Sequence, residues 1–300
     1  MFASSDRSGI TTRSAHSRLG QCPGRWDNNG MLLVAATPIG NLDDHSPRLV
    51  QALQDADLIV AEDTRTTGQL MRLLGAATHA PVMALHEHNE TEITEKVLGH
   101  AARGVVVLVS DAGMPGLSDP GFPVVRAAHA KGIQVSVVPG PSAITAALAV
   151  SGMPTDRFCF EGFIPKKSRE EFFQQRSGER RTLVFFESPH RLHQSLVQMA
   201  EVFGPDREAT VCRELSKKFE QVTTGTLASL AKEFSGDVKG EITLVVHGAT
   251  GEEVSFDDAV EDVREMVAAG EKPAEAAKAI SQVTGHSKRD LYRALLEPDA

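Results

Sequence analysis

Residues 105–123, VVVLVSDAGMPGLSDPGFP, restrict the fold of this chain more than any other stretch. Val105 to Val109 are β-branched or aliphatic without polar alternation, so they read as a strand buried on both faces, as in a parallel sheet covered by helices. The run breaks at Ser110-Asp111-Ala112-Gly113, passes two further Gly/Pro pairs and enters a helix-like segment over 124–131. A carboxylate among small residues just past a parallel strand's carboxyl end is where open α/β sheets receive ligands. Small side chains let backbone groups approach a ligand, and glycine tolerates the sharp turn. An ordinary strand–turn–helix link is the alternative.

The same alternation runs through the first half. Short apolar runs at 32–36, 58–61, 82–85 and 134–138 read as strands, and helical patterns occupy 47–54, 67–74 and 143–150. This predicts an α/β domain with a parallel, doubly wound sheet. Each strand ends in polar or turn-forming residues: Thr37-Pro38-Ile39-Gly40, Glu62-Asp63-Thr64-Arg65, His86-Glu87-His88-Asn89 and Pro139-Gly140-Pro141-Ser142-Ala143. Polar groups in that position are site material, although a lone Arg–carboxylate pair is equally well structural.

Ser151-Gly152-Met153-Pro154 marks a composition shift and a domain boundary. Residues 157–191 hold eight Lys/Arg against five Asp/Glu, interleaved with Phe158, Phe160, Phe163, Phe172 and Phe173. They read either as an RNA-binding linker that pairs phosphates and stacks bases or as a solvated face over a Phe core. A second α/β unit follows, with strands at 182–186, 209–213 and 242–246 and helices at 190–203 and 227–234. After an acidic linker at 251–258, a helical tail over 259–296 breaks at 284–289; a packed helical hairpin fits it better than a helix–turn–helix. The domain plan is therefore a disordered extension over 1–30, α/β domains at 31–152 and 155–250, and a small helical domain at 256–297. Met31 directly precedes the first strand and is a possible translation start.

Several classes are excluded at this level. No apolar run is long enough for a bilayer span, and the first thirty residues hold no signal-peptide core, which predicts a cytoplasmic protein. Three widely spaced cysteines give neither a disulfide framework nor a zinc knuckle. A formal net charge of −9 gives no general attraction to nucleic acid, so any RNA contact is local. His86 and His88, taken as an H-x-H pair on a strand, lack a third ligand at telling spacing, so no metal is expected. There is no G-x-S-x-G nucleophile elbow, phosphate loop or G-x-G-x-x-G fingerprint.

The series TPIGNL (37–42), AEDTR (61–65), ALHEHNE (84–90), SDAGMPGLSDPG (110–121), VPGPSA (138–143), FEGFIPKK (160–167), FFESPHR (185–191) and RELSKKFE (213–220) resembles the tetrapyrrole-methylase fold family. Within that fold it is similar to the small-subunit ribosomal RNA methyltransferases that use S-adenosylmethionine to methylate a cytidine ribose 2′-OH. The resemblance covers residues 31 to about 250, and the helical tail is also similar. It implies two α/β domains with the cofactor in the cleft between them, and a homodimer. By motif position the cofactor contacts are Ile39, Gly40, Asp111, Ala112, Gly113, Met114, Ser142 and Ala143, with Glu187 and Leu215 from the second domain. Apart from the resemblance, the basic residues Lys166, Lys167, Arg169, Arg213 and Lys217 are the candidates for RNA contact, with Arg65 as a further cation for phosphate. A methyltransferase of a small tetrapyrrole shares the fold, and a non-catalytic RNA- or ribosome-binding module is the reading from another class.

Methyl transfer from a sulfonium needs alignment rather than a metal, which alone removes roughly 7–11 kcal/mol of barrier. A ribose hydroxyl is a poor nucleophile, so a base or orienting acceptor adds ~10²–10⁴-fold. Candidates are Glu62, Asp63, His86, Glu87 and Glu187. Glu62 and Arg65 come first because they end a strand of the cofactor domain, with Glu187 as the candidate from the second domain.

Overall fold

The structure, a computed structural model, describes residues 26, 30–86, 88–250 and 255–296. Glu87, most of the extension at 1–30 and the start of the acidic linker lie outside the described residues. The chain divides between Ala143 and Ile144 into two compact units.

In the first unit, strands β1 (Met31–Ala35), β2 (Leu58–Ala61), β3 (Val82–Ala84), β4 (Val105–Val109) and β5 (Gln134–Val138) form one sheet in the order β3-β2-β4-β1-β5. All its pairings are parallel. The helices between them are α1 (Pro47–Asp55), α2 (Thr64–Leu73), α3 (Glu90–Ala101) and α4 (Phe122–Ala130). Strand residues alternate between two cores, as the period of two requires. Leu33, Ala35, Ile59, Val107 and Val109 pack with Leu49, Ala52 and Leu53 of α1 on one face. Leu32, Leu58, Val60, Val106 and Leu108 pack with Val97 and Leu98 of α3 and Val124 and Ala128 of α4 on the other. The continuous burial of β4 follows from this double cover.

Within the stretch at 1–30, Trp26 packs against the α1 side of this core, with the Arg48 guanidinium 5.0 Å over its ring. Helix α3 is absent from the sequence reading, which treated the residues after 85 as strand-end material. Its buried stripe Thr94, Val97, Leu98 and Ala101 has helical spacing. Helix α2 starts at Thr64 rather than 67, because the Asp63 carboxylate caps it by accepting from Arg65 N at 2.8 Å.

The second unit opens with α5 (Ala143–Ser151) and contains a sheet in the order β6-β7-β10-β8-β9: β6 (Phe158–Phe163), β7 (Thr182–Glu187), β8 (Glu208–Arg213), β9 (Gln221–Thr226) and β10 (Ile242–Val246). This sheet is mixed: β6 and β7 are parallel, and β7, β10, β8 and β9 pair antiparallel. Helices α6 (Arg169–Gln174), α7 (Leu192–Phe203) and α8 (Leu227–Glu233) cover one face around Phe173, Phe185, Leu196, Val211 and Leu244.

The Phe-rich stretch is thus no linker. Phe158 and Phe160 lie on β6, and Phe173 is a core residue. Gly162, at φ 71°, sits in a break of register between Phe160 and Phe163, which hid the strand in the sequence. The helix read from 190 begins at Leu192, after a single 3-10 turn over Pro189–Arg191.

The tail is three helices, α9 (Phe256–Ala268), α10 (Pro273–Thr284) and α11 (Lys288–Leu296), around Ala259, Val263, Ala276, Ala277 and Leu291. A second break at Gly270, φ 101°, separates α9 from α10. Arg180 Nη1 donates to Thr284 O at 3.1 Å and ties the tail to the loop before β7. Among the described residues no helix is long and apolar enough to cross a membrane.

Candidate active site

The order of the first sheet defines a switch point. From β1 the chain leaves through α1 on one face, and from its neighbour β4 through α4 on the other. The general ligand position of open α/β sheets therefore falls beyond the carboxyl ends of β1 and β4. The turns that follow these strands are stitched together. Thr37 N donates to Gly113 O at 2.9 Å and Gly113 N to Thr37 O at 3.2 Å, while the buried Thr37 hydroxyl donates to Ser110 O at 3.2 Å. The turn after β5 closes on the same place: a Cβ on Gly140 would lie 2.9 Å from Ala36 Cβ. Gly113 has φ +86°, so a side chain there would strain the turn that makes the stitch.

Six of the residues marked in the sequence for the cofactor thus share one edge: Ile39, Gly40, Asp111, Ala112, Gly113 and Met114. Ser142 and Ala143 continue from the Gly140 turn. Ile39 is buried while Gly40, Asp111 and Ala112 are exposed, so the edge offers backbone and one carboxylate. Asp111 Oδ1 accepts from Asp63 N at 3.2 Å, which joins the AEDTR segment to this turn. Partial desolvation of the Asp111 carboxyl, on a residue that is otherwise exposed, pushes it above its ordinary range, and the Asp63 charge adds to this against the bond from Asp63 N.

Arg65 does not reach the turn: its side chain is 91% exposed and folds back on Asp63, whose carboxylate it holds below the usual range. His86 and His88 are exposed in the turn after β3 and not on a strand; His86 N donates to Asn89 Oδ1 at 2.7 Å. Among the described residues no three His, Cys, Asp or Glu side chains are grouped to hold a metal ion.

The sequence reading did not single out Asp119. The segment leading to it repeats the pair Ser110-Asp111 as Ser118-Asp119, which was the available signal. Ser118 is left-handed at φ 68°, and Gly121 N donates to Glu90 Oε1 of α3 at 2.6 Å, so the loop is fastened at its far end. Burial pushes the Asp119 carboxyl up to about 6, and the Glu62 and Asp111 charges add to this against a bond from the Ser110 hydroxyl. A carboxyl raised on folding holds a proton that the unfolded chain has released. Its charge therefore costs stability progressively as pH rises from about 4 to about 6. Asp119→Asn is expected to stabilise the chain at about pH 7.5 by ~1 kcal/mol, discounted for partial exposure, and to have little effect at about pH 4. Urea unfolding at the two pH values checks this.

In the second unit, Glu187 is fully buried at the end of β7, and its carboxylate is occupied. It takes Arg191 Nη2 at 2.5 Å and Ser188 N at 2.6 Å on Oε1, and the Ser195 hydroxyl on Oε2. Arg169 Nη1 donates in turn to Ser195 Oγ at 3.2 Å. Register places Glu187 and Arg213 on either side of Ile242. Arg213 donates to Gln221 Oε1 and Lys239 O, and Lys217 is bound by Glu214 at 3.0 Å and Glu241 at 3.1 Å. Leu215 is buried beside them, whereas Lys166 and Lys167 are exposed after β6.

The model of the family Tetrapyrrole (Corrin/Porphyrin) Methylases matches residues 31–231, and the chain belongs to that family. Within it, the chain is 44% identical over 269 residues to a Ribosomal RNA small subunit methyltransferase I of Xylella fastidiosa (strain Temecula1), covering 88% of this chain and 98% of the other. Proteins of the same name from Pseudomonas aeruginosa (strain PAO1) and Mycobacterium tuberculosis (strain H37Rv) are 43% and 42% identical, covering 89% and 90% of this chain and 97% and 96% of theirs. Among solved structures, a uroporphyrin-III-C-methyltransferase from Thermus thermophilus aligns with a TM-score of 0.52 at 20% identity, over 74% of this chain and 96% of that one. A diphthine synthase aligns at 0.56 and 18%, over 76% and 93%. At those identities the likeness is one of fold.

Proposed function

We propose that this chain transfers the methyl group of S-adenosylmethionine to the ribose 2′-oxygen of a cytidine in small-subunit ribosomal RNA. The observation that carries the reading is identity above 40% with proteins named as small-subunit ribosomal RNA methyltransferases, along nearly their whole length. The switch-point edge fits the cofactor: small residues at Gly40 and Ala112 leave the backbone exposed, Gly113 holds the turn through its bonds to Thr37, and Asp111 supplies a carboxylate for a polar or cationic group. Ile39 and Met114 offer apolar contact, and Ser142 and Ala143 close the edge.

When bound, the cofactor supplies a methyl group already activated by a sulfonium. The protein's own contribution is alignment, plus acceptance of the 2′-hydroxyl proton. Glu62, directly after β2, and Asp119, in the loop between β4 and α4, are the carboxylates for that step. Arg65, exposed and paired with Asp63, is a cation for phosphate. Glu187, with both oxygens occupied, is left out of the chemistry and serves to position the turn after β7. Lys166 and Lys167 are the exposed cations for RNA. The reading includes a cytoplasmic homodimer, for which a monomer mass by light scattering is the contrary result.

Incubation with methyl-labelled S-adenosylmethionine tests the reaction class. Label is expected in small-subunit ribosomal RNA or assembled subunits, with none on uroporphyrinogen. Label on the tetrapyrrole alone would move the proposal to the small-molecule methyltransferase. Cofactor binding without transfer to either, or no binding at all, would favour a non-catalytic module.

A further inference from the structure

Loop 214–220, between β8 and β9, holds an aromatic ring out in solvent. Glu214 and Ser216 adopt left-handed φ of 52° and 68° without being glycine, a conformation that persists where the surroundings fix it. Here they do so. Glu214 Oε1 accepts from Glu241 N at 3.0 Å and from Lys217 Nζ at 3.0 Å, and Glu220 Oε2 accepts from Ser216 N at 2.6 Å. The backbone adds Lys217 N to Glu214 O at 3.0 Å and Glu220 N to Lys217 O at 3.1 Å. From this fixed loop Phe219 projects with 65% exposure, the most of any large apolar side chain among the described residues. The Lys218 ammonium stands 5.5 Å from the centre of its ring.

We propose that Phe219 is a stacking platform for an unpaired base of the RNA substrate, with Lys218 on the adjoining phosphate. This rests on the reading of the chain as an RNA methyltransferase. A pre-fixed aromatic beside a cation is the combination that binds single-stranded RNA, because every base has a face to stack and a phosphate next to it. A protein partner asks for an apolar centre around the ring, whereas Phe219 is flanked by Lys218 and Glu220, both exposed. Arg213 and Lys217, which the sequence marks for phosphates, bond to Gln221, Glu214 and Glu241 and hold the loop in shape. They are positioning residues.

The test is filter binding of the full-length protein to small-subunit ribosomal RNA transcribed in vitro, across several salt concentrations. Phe219→Ala is expected to weaken binding about tenfold, and Phe219→Trp to keep it. Lys218→Ala is expected to lower the slope of log affinity against log salt by about 0.7. S-adenosylmethionine binding by calorimetry should stay unchanged in all three. Unsubstituted affinity in both Phe219→Ala and Phe219→Leu would overturn the inference and leave the methyltransferase reading standing. A changed mass of Phe219→Ala in light scattering would overturn it in favour of a second copy of the chain on this loop. No RNA binding by the unsubstituted protein would overturn the reading on which it rests.

Discussion

Arg191→Ala is expected to destabilise the second unit by about 3–5 kcal/mol, because it leaves a buried carboxylate without its counter-ion. The Glu187 side chain has no exposure, and Arg191 Nη2 is 2.5 Å from its Oε1. The remaining partners, Ser188 N and the Ser195 hydroxyl, are neutral and do not balance the charge. Arg191 also donates from Nη1 to Ile164 O at 3.1 Å, so the substitution releases the segment after β6 as well. Glu187→Gln combined with Arg191→Ala should recover much of the loss, since the uncompensated charge is then gone. Urea unfolding of the single and double variants measures both. A loss under about 1 kcal/mol in Arg191→Ala would show that water reaches the pair.

The second large effect separates the two ligands. Asp111→Ala is expected to weaken S-adenosylmethionine by at least tenfold, in line with about 1.5–3 kcal/mol for a hydrogen bond to a charged group. RNA affinity should be unchanged. Lys166→Ala with Lys167→Ala should do the reverse, weakening RNA and lowering the salt slope by roughly 0.7–0.9 for each phosphate no longer neutralised. Calorimetry with the cofactor and filter binding with RNA read the two effects. Equal losses of both ligands in either variant would contradict the division of labour between the switch-point edge and the Lys166–Lys167 segment.

Much of the first unit was legible because parallel strands buried on both faces leave uninterrupted apolar runs, and Val105–Val109 is the clearest of them. The edge strand β9 escaped because QVTTGT pairs only with β8 and needs no apolar run. Strand β6 escaped through its Gly162 irregularity and its basic surroundings. The turn proposed for the cofactor is visible in the sequence as a string of small residues beside Asp111. The partnerships that separate Asp63 and Arg65 from Glu62, and Arg213 and Lys217 from the exposed Lys218, depend on capping and loop geometry that spacing does not encode. Asp119 escaped because its environment is made by Glu62, some sixty positions earlier, and by the fold of its own loop.

The reaction itself is tested most directly by locating the transferred methyl group. Small ribosomal subunits lacking ribose methylation would be treated with the protein and labelled S-adenosylmethionine, and their RNA digested to nucleosides. The expected result is label in 2′-O-methylcytidine. Label on a base, or on the ribose of another nucleoside, would contradict the proposed chemistry.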